Sequence, residues 1–139
     1  MGKEIIIVTI SLGNDGAERI LTELARQWHH DGHEITVIQT SPNRYGTEYA
    51  LPEGIDQIQI HTTSSNKIIR FLQEIKALIG ILKQRPNATC LSFLSASSFI
   101  LAISSWFVKN RMVFSERNNP RKVPVGKHQQ MLRDFAFRF

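Results

Sequence analysis

A single cysteine in 139 residues excludes both a disulfide framework and a thiolate zinc site. A lone thiol fits a reducing compartment, so the expected location is the cytoplasm. The five histidines form no constellation: His29 and His30 close a helical pattern, His33 follows Gly32, and His61 and His128 stand apart. Neither an H-E-x-x-H run nor a paired-carboxylate spacing occurs, which leaves metal hydrolysis without support. The apolar run at 5–8 after Lys3 is too short for a signal-peptide core. Met1-Gly2 lacks the Ser or Thr that a myristoylation signal carries, having Ile6 there. One charge-free stretch, residues 90–108, approaches membrane-spanning length, but six of its 19 residues are serine and it divides into a strand and a helix. There is no internal repeat and no low-complexity segment.

What is present is the material of one globular domain. The chain is 42% hydrophobic, enough for a real core and too apolar for disorder. The formal charge of +5 is unevenly placed. Residues 1–108 carry nine Lys and Arg against ten Asp and Glu, a net of −1. Residues 109–139 carry eight against Glu116 and Asp134, a net of +6.

Strand and helix patterns alternate along the chain. A β-branched run at 4–10 reads as a parallel strand buried on both faces. Ile20, Leu21, Leu24, Ala25 and Trp28 then recur at helical spacing, with Asp15 and Glu18 as a capping box and Gly32 as the stop. Strands follow at 35–38 and at 57–61, the latter alternating as an edge strand does. A helix at 67–83 carries Ile68, Ile69, Leu72, Ile75, Leu78, Ile79 and Leu82 on one face. A strand at 89–93, a helix at 97–107, a strand at 111–115 and a final helical pattern reaching Phe139 complete the series. This order predicts an α/β fold: a Rossmann-like, doubly wound parallel sheet of about five strands with helices on both faces. Such a sheet binds ligands beyond the carboxyl ends of its strands, here the loops at 11–16, 39–54, 61–66, 93–97 and 115–124.

The chemistry of those loops is suggestive but incomplete. Gly13-Asn14-Asp15-Gly16 would bring backbone N–H groups close to an anion at a helix start, or simply form a capped tight turn. A dinucleotide fingerprint needs G-x-G-x-x-G and an acid after the second strand, where this chain has Gln39 and Thr40. A Gly-Lys-Ser/Thr phosphate loop is absent. Ser115-Glu116-Arg117-Asn118-Asn119-Pro120 follows the last strand, and the planar fork of Arg117 suits phosphate or carboxylate; a solvated loop reads equally well. Ser95, Ser97 and Ser98 lack the glycine frame of a nucleophile elbow and read as helix caps. Cys90 lies within a strand and reads as a buried, inert thiol.

Several segments in order resemble the opening of a family 4, GT-B-type glycosyltransferase. Gly13-Asn14-Asp15-Gly16-Ala17-Glu18-Arg19 and Gly32-His33-Glu34-Ile35-Thr36-Val37 are similar to that family's "GGAER" turn and "GHEVTV" second strand. Leu91-Ser92-Phe93-Leu94, the run from Ser115 to Pro120, and the run from Leu132 to Phe139 are similar to the branch that builds lipid-linked or surface polysaccharides. The resemblance implies that residues 1–139 are the N-terminal, acceptor-side domain of a two-domain retaining enzyme, cut at its C-terminal end. It implies a nucleotide sugar as donor substrate, held mainly by the second domain, and a glycan or polyprenyl-linked acceptor. It implies no resident cofactor and no metal. Residues 1–139 alone would then be inactive.

By the same resemblance Gly13, Asn14, Asp15 and Gly16, with Ser95, Glu116, Arg117 and Asn118, would line the donor and acceptor cleft. Asp15 departs from the family, standing where the first glycine of its pair belongs and placing an anion near a phosphate position. Phe93-Leu94-Ser95 occupies the segment where many relatives carry a histidine that touches the donor sugar. The basic residues Arg121, Lys122, Lys127, Arg133 and Arg138 would lie on an anionic membrane surface, with Met131, Leu132, Phe135, Phe137 and Phe139 as an inserting face. These aromatics would equally serve as docking residues on the fold. Two other classes fit the composition: a self-contained α/β nucleotide-binding protein, and an interaction module using its basic tail. Nucleic acid is not the expected partner, because residues 1–108 are slightly acidic and the tail has no groove-like pattern of aromatics.

Overall fold

The computed structural model describes residues 2–13, 16–41, 49–93, 95–115 and 127–136. Five strands, β1 (Glu4–Thr9), β2 (Glu34–Gln39), β3 (Asp56–Gln59), β4 (Thr89–Phe93) and β5 (Arg111–Ser115), form one parallel sheet in the order β3-β2-β1-β4-β5. The helices are α1 (Gly16–His30), α2 (Lys67–Gln84), α3 (Ser95–Ser104) and α4 (Lys127–Ala136), with a 3-10 turn at Ser105–Phe107 after α3. This is the expected Rossmann-like α/β fold.

The core has two layers because alternate residues of each strand point to opposite faces. Ile7, Ile35, Val37 and Leu91 pack with Leu21 and Ala25 of α1 on one face. Ile6, Val8, Ile38 and Cys90 pack with Leu78 and Leu82 of α2 and Leu101 of α3 on the other. The continuous β-branched runs of β1 and β2 are what this double coverage demands. The alternating β3 is an edge strand, as its pattern predicts.

Gly32, the predicted helix stop, closes α1. With φ +88° it turns the chain back, so that His33 N–H donates to the Trp28 carbonyl at 3.0 Å and Gly32 N–H to the His29 carbonyl at 3.0 Å. At the same, amino end of the sheet Arg85 reaches Glu4 at 3.7 Å, Asp56 at 3.6 Å and the hydroxyl of Thr36. It ties three strands together just after α2 ends.

Two expectations need correction. Ser97 and Ser98 are not caps. α3 begins at Ser95, two residues before the predicted start, so both serines lie inside its first turn. There Ser97 donates to the Phe93 carbonyl and Ser98 pairs with Ser92 at 2.8 Å, all four residues being buried. Ser104 likewise donates to the Ile100 carbonyl at 2.9 Å. This back-bonding lets a serine-rich helix sit in an apolar layer, and among the described residues no helix is long and apolar enough to cross a membrane. The second correction concerns α2. Its predicted apolar face is buried only over its later turns: Ile68, Ile69 and Leu72 are 71, 48 and 58% exposed. Eighteen helical residues span about 27 Å, whereas a six-residue strand spans about 20 Å, so α2 outruns the sheet. Its first turn overhangs the carboxyl edge.

Candidate functional site

In this sheet the chain runs from β1 outward to β3 on one side and then from β4 to β5 on the other, which puts the switch in direction between β1 and β4. Helices leave the carboxyl ends of these two neighbours on opposite faces, opening a crevice there. The described segments just after β1 and β2 and the start of α3 after β4 therefore lie at one edge. Of the predicted cleft residues, Gly13 is buried just beyond β1 and Gly16 begins α1, with nothing near the place a Cβ would occupy. Gly16 therefore gains nothing from close packing. Ser95 begins α3 on the adjacent strand's loop, so the fold brings the Gly13 and Ser95 segments to the same edge. Asn14, Asp15, Glu116, Arg117 and Asn118 lie outside the described residues, as do Arg121, Lys122 and Arg138. Lys127 is exposed at the start of α4, and Arg133 lies within that helix.

Gln39 occupies the place where a dinucleotide-binding fold keeps its ribose-holding acid. Its side chain is fully buried and its Oε1 accepts from Gln57 at 2.6 Å and Gln59 at 3.1 Å. It fastens the edge strand β3 to β2, a structural task. Cys90 is also accounted for: burial, with the charge of Glu4 adding to it, pushes the thiol up to about 12. A thiol so raised supplies no thiolate at neutral pH. Among the described residues no group of three His, Cys, Asp or Glu is placed to hold a metal ion.

The sheet edge does carry a cavity that the sequence did not single out. About 310 Å³ in volume, it lies between the carboxyl ends of β1 and β2, the overhanging first turns of α2, and the start of α3. Thr40 and Ser41 line it from the sheet side, and Lys67, Arg70, Phe71 and Glu74 from α2. Those four helical positions follow the i, i+3, i+4, i+7 spacing of a single helix face. Their placement is firmly set. Asn66 caps α2, its Oδ1 accepting from Ile68 N–H at 2.9 Å and Ile69 N–H at 3.4 Å. Gln73 clamps the preceding loop, its Oε1 accepting from Thr63 N–H at 3.3 Å while its amide donates to the Thr63 hydroxyl at 3.2 Å. Behind the cavity Phe71 stacks on Phe99 with ring centroids 5.6 Å apart, and Phe99 meets Phe135 edge-on at 5.6 Å.

A signal for this site does exist in the sequence. Helix N-termini favour acids, yet the first turn of α2 has none and begins with Lys67, with Arg70 next on the same face. Cations at that end oppose the macrodipole by about 0.3–1 kcal/mol each. Reading Ile68, Ile69 and Leu72 as core hid Lys67 before them and Arg70 among them.

No known family model and no curated protein sequence matches this chain. Solved structures that share its fold include two glycosyltransferases. One is a glycosyltransferase from Rickettsia africae, with a TM-score of 0.56 and 15% identity over 82% of this chain. The other is WaaG, a glycosyltransferase involved in lipopolysaccharide biosynthesis, with a TM-score of 0.54 and 18% identity over 66% of this chain. The match covers 30% of the first structure and 24% of the second, so this chain spans under a third of either protein.

Proposed function

We propose that the chain is the N-terminal, acceptor-side domain of a GT-B-type, family 4 retaining glycosyltransferase. The parent enzyme moves a hexosyl or N-acetylhexosaminyl group from a nucleotide sugar to a glycan, with a polyprenyl-linked acceptor the favoured class. The observation that carries this reading is the fold itself: a β3-β2-β1-β4-β5 parallel sheet that superposes on part of two glycosyltransferases. The ordered resemblance of the segments at 13–19 and 32–37 to family turns supports it independently. The crevice between β1 and β4 supplies one wall of a cleft, and a second domain supplies the donor-binding wall. Catalysis in this scheme rests on positioning and charge stabilisation across that cleft and needs no protein nucleophile from this chain.

The parent enzyme works at an anionic, cytoplasmic membrane surface as a peripheral protein. The net +6 of residues 109–139 supports this, as do the exposed Lys127 and the 63% exposed Met131 one turn further along α4. Phe135 is not available for insertion, because it packs edge-on against Phe99 and Trp106.

The deciding experiment assays sugar transfer by a polypeptide extending beyond Phe139 by about 200 residues, one further domain. Transfer from UDP- or GDP-sugars by the extended protein, with retention of anomeric configuration, is expected. Residues 1–139 alone should transfer nothing and bind these donors no more tightly than about millimolar, some −4 kcal/mol. Micromolar donor binding to residues 1–139 in calorimetry would overturn the two-domain reading.

A further inference from the structure

We infer that the cavity under the overhanging turns of α2 binds a phosphate ester, held by Lys67 and Arg70, and that this phosphate belongs to the acceptor. The acceptor assignment rests on the glycosyltransferase reading; the phosphate assignment rests on the cavity alone. The volume of about 310 Å³ is at the small end of ligand pockets and matches a phosphate with one sugar ring or a short prenyl stem. Lys67, Arg70 and Glu74 lie on successive turns of one helix face, so the two cations stand at the outer end of the cavity and the carboxylate at the inner end. A phosphate at the mouth meets the planar fork of Arg70, the ammonium of Lys67 and the positive end of the helix. Deeper in, Thr40 and Ser41 offer partners for hydroxyls, which a phosphate alone would not need.

The charge distribution supports the assignment. Arg26 and Arg85 are committed to carboxylates, whereas among the described residues neither Lys67 nor Arg70 enters an ion pair. The helix turn that carries both cations is fixed at the edge by the Asn66 cap and the Gln73 clamp.

Amide-resolved NMR titration of the 139-residue chain tests this with hexose 1-phosphate, the same hexose without phosphate, inorganic phosphate and farnesyl phosphate. Saturable shifts at Ser41, Arg70 and Ala96 are expected with the phosphate esters and not with the free hexose. Lys67→Met with Arg70→Met should weaken binding at least about tenfold, the loss of a charged hydrogen bond or more. Lys67→Met alone, at an exposed position, keeps the test open if the double variant unfolds. Tighter binding of hexose 1-phosphate assigns the phosphate to a glycan, and tighter binding of farnesyl phosphate assigns it to a lipid carrier. No saturable shift with any phosphate, equal shifts with free hexose, or undiminished binding by the variants would overturn the proposal. Sugar transfer by the extended protein without phosphate binding at this cavity sinks this inference alone. Phosphate binding without transfer sinks the glycosyltransferase reading and leaves the cavity's assignment standing.

Discussion

Gly32 and Gly54 share a backbone φ of +88° but not a neighbourhood. A Cβ at Gly32 would meet nothing within 4 Å, whereas one at Gly54 would lie 2.7 Å from His29 Nε2. Left-handed backbone costs a non-glycine residue about 1 kcal/mol or more on its own. Gly32→Ala should therefore lower unfolding free energy by about 1 kcal/mol, and Gly54→Ala by clearly more, in paired urea denaturations. Equal losses would mean that the His29 ring moves aside without cost. Cys90 makes a second prediction through pH. Its thiol, at 9.0 when unfolded, is raised to about 12 in the fold, so the native state keeps the proton that the unfolded chain releases. The sign is that of a raised acid: the contribution is unchanged below pH 9 and stability falls as pH climbs from 9 towards 12. A Cys90→Ala variant should show a shallower decline than the parent over that range. At neutral pH a thiol-reactive disulfide should label Cys90 only at the rate of unfolding.

Asn66 fixes where α2 begins, and through that start the position of the α2 residues at the cavity. Asn66→Ala removes the acceptor for two helix N–H groups and should cost about 1 kcal/mol, read as a lower thermal midpoint. The same variant should loosen the first turn, seen as faster amide exchange at Ile68 and Ile69, whose N–H groups the cap holds. This helix also shows what hydrophobic patterning can and cannot convey. β4 and β5 match their predicted bounds because each is a short run that pairs along its whole length with a neighbour. Gly32 is legible because a chain reversal after a helix demands positive φ. The periodicity of α2 correctly reports which face meets the sheet at Ile75, Leu78 and Leu82. It says nothing about where the sheet ends, so Ile68, Ile69 and Leu72 look identical to core positions until helix and strand lengths are compared. The cavity was illegible for the same reason, since Thr40 and Lys67 meet only through the crossover that carries β3. Ser97 and Ser98 were misread because a two-residue shift of a helix start converts a cap into an internal hydrogen bond.

The charge of the chain divides where its architecture does. Residues 1–108 hold four of the five described strands and three of the four described α-helices at a net of −1, while residues 109–139 hold β5, α4 and a net of +6. On the membrane reading proposed above, attraction to an anionic surface would come from this one segment and not from the domain as a whole. Each Lys or Arg brought near such a surface contributes about 1 kcal/mol before screening, so the tail's excess is ample for reversible attachment. Apolar contact would be the smaller share on that reading, because Phe135 is spent on Phe99 and Trp106 and Met131 is the exposed large apolar residue among the described side chains of α4. Attachment governed by charge has a distinct signature: it requires anionic lipid and is lost as salt shortens the Debye length. Co-sedimentation should thus pellet the chain with vesicles containing phosphatidylglycerol and leave it in solution with phosphatidylcholine alone. Raising salt from 0.1 M to 1 M, which shortens screening from about 10 to about 3 Å, should release it. Arg121→Glu with Lys122→Glu changes the tail from +6 to +2 and should weaken pelleting at low salt without altering the thermal midpoint. Equal partitioning to both vesicle types would mean that apolar insertion governs, and then Met131 with the exposed Ile68 and Leu72 of α2, rather than the basic tail, would be the surface to mutate.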